Sequence, residues 1–162
     1  HGGSVRVYGC KLSASYATCG SVGEIIKKEH EQRLFDLNTY SIFNERSVNI
    51  KLSLIDFLMN AKKEGKIICG YGAASKGNTF LNFAGIKSDL LPVVGDAAAS
   101  KIGKFLPGSR IPIVSPDAIS ELHPDYVVIL PWNIADEVKA QFPELVEQGS
   151  KFMTFVPELR EI

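Results

Sequence analysis

From residue 66 onward, short apolar runs alternate with helical stretches, and this alternation leaves few folds open. "KIICGYG" reads as a buried strand, followed by a helix over about 76–85. "DLLPVVGD" reads as a second strand and "RIPIV" as a short third. "SPDAISEL" is a helix, with Ser115 as its cap and Pro116 at the first helical position. "DYVVILPW" is a strong fourth strand. "NIADEVKAQFPEL" is a helix capped by Asn133, with Asp136 three residues on, and "KFMTFVP" is a fifth strand. Strands separated by such helices predict a parallel sheet with helices on both faces. Strands apolar along their whole length agree, because both of their faces are buried. The expected fold class is α/β, a doubly wound parallel sheet.

The first third has a different texture. Residues 21–64 read as helical. Ser21 has capping-box spacing to Glu24, and Val22, Ile25 and Ile26 make one apolar face. Asn38 or Thr39 caps a second stretch. In it Val48, Leu52, Ile55 and Met59 keep helical spacing, while Ile50, Leu54, Phe57 and Leu58 widen the stripe enough to predict burial on more than one side. Lys62 and Lys63 close the last turn and Gly65 stops it. "SVRVYGC" alternates and is expected as an added or edge strand. The expected organisation is one domain over 1–162: a linker with an added strand (1–20), a helical arm (21–65) and the sheet core (66–162).

Bulk properties exclude several functions. Eighteen basic residues balance eighteen acidic ones, whereas a nucleic-acid binder usually carries a basic excess. No apolar run approaches the roughly 20 residues that span a membrane, and no signal-like leader is present. Cys10, Cys19 and Cys69 cannot all pair and have no zinc-type spacing, so three reduced thiols in a cytoplasmic protein are expected, with no metal. The chain begins "HGGS" without an initiator methionine. His1 is either the end of a purification tag or a native residue.

The chemistry concentrates in "GYGAASKGNT", residues 70–79. In a doubly wound sheet, ligands lie beyond the carboxyl ends of the strands. Gly70 and Gly72 allow a tight turn and close approach to a phosphate, and the next helix aims its free N–H groups at that anion. Ser75, Asn78 and Thr79 add donors and Lys76 adds charge. The dinucleotide fingerprint wants glycine or alanine at 75, and Gly77 comes two residues later, so the match is partial. The stretch is not a Walker A loop either, because no GKS or GKT is present. Asp96 ends the second strand, where a ribose-binding acid often sits. Trp132, the only tryptophan, and Asn133 end the fourth strand on the same edge. Trp132 can stack on a base or cap the core, and "FLPGSRIP" is a turn bordering that edge.

Together "HGGSVRVY", "GYGAASKGNTFLNFAGI", "PGSRIPIVSP" and "PDYVVILPWNIADEV" resemble the C-terminal domain of S-adenosylmethionine-dependent sugar C-methyltransferases. The resemblance spans essentially the whole chain. It implies a Rossmann-like domain that helps hold a nucleotide-linked ketosugar, typically a dTDP-sugar. It counts Tyr71 with the substrate-binding residues of its block, beside Gly70, Gly72, Ser75, Lys76, Asn78, Thr79, Asp96, Trp132 and Asn133. It favours a native His1 as candidate general base: the base removes the acidified proton beside the keto group, and the enolate attacks the sulfonium methyl. It also implies that the zinc-binding and methyltransferase domains, with the S-adenosylmethionine site, lie upstream of this chain, so the segment alone is expected to be inactive. "GDAAASKIG" departs from the more polar turn expected after the second strand. Two other classes compete: a stand-alone Rossmann-like module for NAD or another nucleotide without methyltransferase activity, and an interaction protein docking through its helical arm.

Overall fold

The computed structural model of the chain describes residues 4–162. The chain divides after Ser47 into two compact units. The break falls inside a helix, while the sequence changes texture at residue 66.

In the first unit, helix α1 (Gly20–Glu31) is followed by α2 (Leu37–Lys63), which runs on into the second unit. Residues 4–10 form no strand, contrary to the alternation of "SVRVYGC". Alternation makes a strand only where a neighbouring strand takes up the backbone groups, and none of the described strands pairs with this segment. The expected caps also shift. α1 starts at Gly20 with Cys19 as its cap residue, so Ser21 already lies in the first turn, its hydroxyl 2.8 Å from the Cys19 sulfur. Asp36 caps α2 by accepting the Asn38 N–H at 2.9 Å, and Thr39 donates its hydroxyl to Arg33 O instead. Asn38 and Thr39 are thus both inside the helix. Val22, Ile25 and Ile26 are exposed, and none of residues 4–47 is buried.

In the second unit the sheet is built from β1 (Ile68–Tyr71), β2 (Val94–Gly95), β3 (Ile113–Val114), β4 (Tyr126–Ile129), β5 (Lys151–Thr154) and β6 (Arg160–Glu161). Their order is β3-β2-β1-β4-β5-β6. The first five are parallel, and β6 pairs antiparallel with β5. The fold is α/β and Rossmann-like, with the strand order reversing between β1 and β4. Alternate residues face opposite layers. Ile68, Val128 and Leu130 join Leu54 and Leu58 of α2 and Leu81 of α3 (Ser75–Ala84). Cys69, Tyr71, Val127 and Ile129 join Ile119 of α4 (Pro116–Glu121), Val138 of α5 (Ala135–Lys139) and Leu145 of α6 (Pro143–Glu147). Each fully buried leucine or isoleucine contributes about 1.5–3 kcal/mol relative to exposure. Val48, Leu52 and Met59 of α2 are exposed, so its stripe is buried along one side only in the described structure.

The α4 cap is as expected: Ser115 Oγ accepts the Ala118 N–H, with Pro116 at the first position. The helix expected over 133–145 is instead broken. A short 3-10 turn, Trp132–Ile134, leads into α5, so Asn133 caps nothing. Pro143 lacks an N–H and forces Phe142 out of helical geometry (φ −126°, ψ 56°), so α6 starts afresh. β2 is shorter than "DLLPVVGD", whose first half is turn.

Asp125 fixes the starts of the central strands. Its carboxylate accepts the Ile67 N–H at 2.8 Å and the Lys66 ammonium at 3.0 Å, and its carbonyl accepts the Lys151 N–H at 2.9 Å. The bond from Ile67, followed by that from Lys66, holds the Asp125 carboxyl below its ordinary pKa. A depressed carboxyl pKa gives stability that is present above the unfolded value and lost as pH falls through the folded one. Asp125→Asn is therefore expected to lower the urea midpoint at pH 7. The gap between variant and parent should close as pH falls below the ordinary carboxylate value of 3.8. A gap that persists unchanged in acid would contradict this.

Candidate functional site

The turn between β1 and α3 is shaped by what glycine lacks. Gly72 has φ +92°, and a Cβ there would lie 2.4 Å from Pro131 Cδ. Its N–H donates to Gly95 O at 2.7 Å, and Ala74 N–H donates back to Gly72 O at 2.7 Å. Gly77 lies on α3, where a Cβ would come 2.5 Å from the Leu130 Cβ. Close helix-to-strand packing, which the dinucleotide fingerprint assigns to its third glycine, therefore falls to Gly77 here. Gly70 lies inside β1, where a Cβ would come 2.9 Å from Val94 Cγ2, so it serves strand packing rather than the turn.

The β4 side of this turn is occupied by side chains. Lys76 Nζ donates to Asn133 Oδ1 at 3.3 Å and lies 5.9 Å from the centre of the Trp132 ring, within cation–π range. Trp132 packs edge-on against Phe155, with ring centres 5.4 Å apart. The β2 side holds a cleft of about 270 Å³. Ala73, Ala74, Ser75 and Asn78 form one wall, and Lys101, Lys104, Phe105 and Pro107 form the other. Asn82 ties the walls together, since its Nδ2 donates to Asn78 O at 2.8 Å and to Pro107 O at 2.9 Å.

The electrostatics of the cleft favour an anion. Ala74 stands at the α3 N-cap and no side chain caps it, so the positive end of the helix dipole meets the cleft uncapped. Asn78 Oδ1 is buried and has no hydrogen-bond partner among the described residues. Lys101 donates to Asp96 Oδ2 at 2.9 Å and to Ala73 O at 3.0 Å. Asp96 Oδ1 accepts the Ala98 N–H at 2.8 Å. Both carboxylate oxygens are thus engaged, and the residue is only 8% exposed.

The residues singled out from sequence therefore separate. Ser75 and Asn78 line the cleft, and Asp96 adjoins it through Lys101. Lys76, Trp132 and Asn133 gather on the β4 side. Thr79 is exposed on α3 and does not line the cleft. Tyr71 turns to the opposite layer, packing on Phe142 and donating its hydroxyl to Gln141 Oε1 at 3.4 Å. Burial, then the charge of Asp96, raise its phenol pKa. His1 lies outside the described residues.

Residues 1–157 match the family described as the C-methyltransferase C-terminal domain. The chain belongs to that family. It is 33% identical over all 162 residues to C-methyltransferase NovU of Streptomyces niveus. The match takes in 100% of this chain and 39% of NovU, so the chain spans about two fifths of that relative's length.

Within this C-methyltransferase domain, Lys101, Lys104 and Asn82 were missed from sequence, whereas Phe105 and Pro107 belong to the "FLPGSRIP" turn expected to border this edge. Local pattern gives no signal for the two lysines, since "ASKIGK" reads as an ordinary solvated loop. The loop reaches the cleft because Gly103 N–H donates to Ile113 O and Ile113 N–H to Lys104 O. Among the described residues no group of three or more His, Cys, Asp or Glu could hold a metal ion, and no helix is long and apolar enough to cross a membrane. Cys69 is buried, and burial pushes its thiol pKa up to about 12.

Two glycines separate the effects that shape the turn. Gly85 ends α3 with φ +72° and open space around its Cα. Gly85→Ala is expected to cost only the left-handed strain, roughly 1–2 kcal/mol. Gly72→Ala adds the collision with Pro131 and should cost about 1–3 kcal/mol more. Chemical denaturation of both variants measures the difference, and equal losses would remove the Pro131 contact as the reason for glycine at 72.

Proposed function

We propose that this domain holds the nucleotide-linked ketosugar of an S-adenosylmethionine-dependent sugar C-methyltransferase, with the nucleotide diphosphate in the cleft beside α3. One observation carries the reading: two lysines and Ser75 meet at one uncapped helix end, on the carboxyl edge of β1 and β2. Helix N–H groups and ammonium groups together suit phosphate oxygens. Phe105, exposed on the rim, suits a base or sugar face. Asn78 can offer its amide N–H or its carbonyl to the same ligand.

The reaction needs a proton taken from the carbon beside a keto group, and His1 is the candidate base. The methyl donor, S-adenosylmethionine, is assigned to the methyltransferase portion of the protein beyond these residues. That portion is also the proposed partner of the first unit. Large apolar side chains such as Phe35, Tyr40, Ile42 and Phe43 are exposed in a unit with no buried residue among those described. NovU, of which this chain matches 39%, has ample length to cover them. Hydrogen exchange over residues 20–47 is expected to slow markedly when the chain is continuous with a methyltransferase portion. Unchanged exchange would reject this partner.

The nucleotide reading is tested by calorimetric titration with dTDP, UDP and NAD. Either diphosphate should bind more tightly than NAD. Lys104→Ala should weaken it by roughly three- to tenfold, the scale of one partly exposed charged hydrogen bond. Lys76→Ala, which alters the β4 side, should leave it unchanged. Loss with Lys76→Ala but not with Lys104→Ala would move the nucleotide to the strand-order reversal, and tighter binding of NAD would favour a dinucleotide module.

A further inference from the structure

We infer that Lys101 makes the cleft read a nucleotide's phosphate charge rather than its ribose 2′-hydroxyl. The inference rests on the nucleotide reading given above. An acid at the end of the second strand normally accepts a hydrogen bond from the ribose diol. To do so, a carboxylate oxygen must face the ligand. Asp96 stands at that position, yet it does not line the cleft, whereas Lys101 does. The ammonium of Lys101 is bound to Asp96 Oδ2 at 2.9 Å, and Ala98 N–H holds the other oxygen at 2.8 Å. Lys101 thus stands between the carboxylate and the open space.

This changes what the wall offers. An ammonium has three N–H groups and no acceptor. Asp96 and Ala73 O take two of them. The third serves a ligand oxygen, and an anionic phosphate oxygen outbids a neutral hydroxyl for it. The bond to Ala73 O also joins this charge to the glycine turn, two residues before α3. Phosphate binding and turn geometry are therefore coupled through one side chain. A site built this way accepts 2′-deoxy and ribo nucleotides alike.

The test compares UDP with 2′-deoxy-UDP, which share base and phosphates, by titration calorimetry. The parent chain is expected to bind the two within about threefold, since a hydroxyl bonded to an ionised carboxylate would be worth about ten- to hundredfold. Asp96→Asn should leave that ratio unchanged. Lys101→Met should weaken both diphosphates by about tenfold or more and shift the ratio toward UDP, because it removes a charged hydrogen bond and exposes the carboxylate. The thermal midpoint of each variant checks folding, and if Lys101→Met fails to fold, the parent and Asp96→Asn ratios decide alone. A tenfold or greater preference of the parent for UDP that disappears in Asp96→Asn would overturn the inference while leaving the nucleotide reading intact. Absence of binding by both nucleotides would overturn the nucleotide reading itself.

Discussion

The absence of a side chain at Gly72 and Gly77 is the constraint on which the site depends. It lets the turn after β1 and the first turn of α3 settle directly on Pro131 and Leu130 at the end of β4. In an open doubly wound sheet, the crevice for a ligand is expected where the strand order reverses, here between β1 and β4. Pro131 presses on the glycine turn there, and Lys76 bridges to Asn133 beside Trp132. The open space lies instead on the β2 side, beneath the loop carrying Lys101 and Lys104. Gly72, which looks like a phosphate-cradling residue, and Gly77 thus act first as packing residues. Their packing then decides which side of α3 faces a ligand.

The second wall of the cleft depends on non-local hydrogen bonds. Asn82 binds both the α3 backbone and Pro107, while Ile113 accepts the Gly103 N–H and donates to Lys104 O, which holds the lysine loop against β3. Each such bond is worth only about 0.5–1.5 kcal/mol net. Together they give the lysines a fixed place on an otherwise solvated loop. The Asp96–Lys101 pair follows the same logic. A pair with one nearly buried partner contributes little to stability in itself, but it fixes where the remaining positive charge points.

How much of this was legible in the sequence follows from the range of each cause. β1, α3 and the Ser115 cap were legible because each is set within a few residues. The single helix expected after Trp132 failed at Pro143, where a steric rule outweighs an apolar pattern that continues through it. "SVRVYGC" has the right period, but a period does not supply a strand to pair with. β6 escaped notice because Arg160 and Glu161 are polar and exposed, and its antiparallel pairing with β5 has no local signature. Ser75 and Asn78 were found in the site because the glycine turn marks them. Lys101 and Lys104 were not, because their loop meets that turn only once β2 and β3 have paired.

The composition of the cleft also separates holding from reacting. Its described walls contain lysine, serine, asparagine, phenylalanine, proline and aliphatic residues, and no histidine, cysteine or unpaired carboxylate. Such a surface can bind charge and stack a ring, yet it has no group suited to taking a proton near neutrality. Binding energy gained on a remote part of a substrate still serves catalysis when it fixes the reacting carbon elsewhere. A rigid edge formed by strand ends and a helix start suits that purpose better than a mobile loop would. The arrangement therefore fits a domain that fixes one end of a long ligand and leaves the other end to residues outside this cleft.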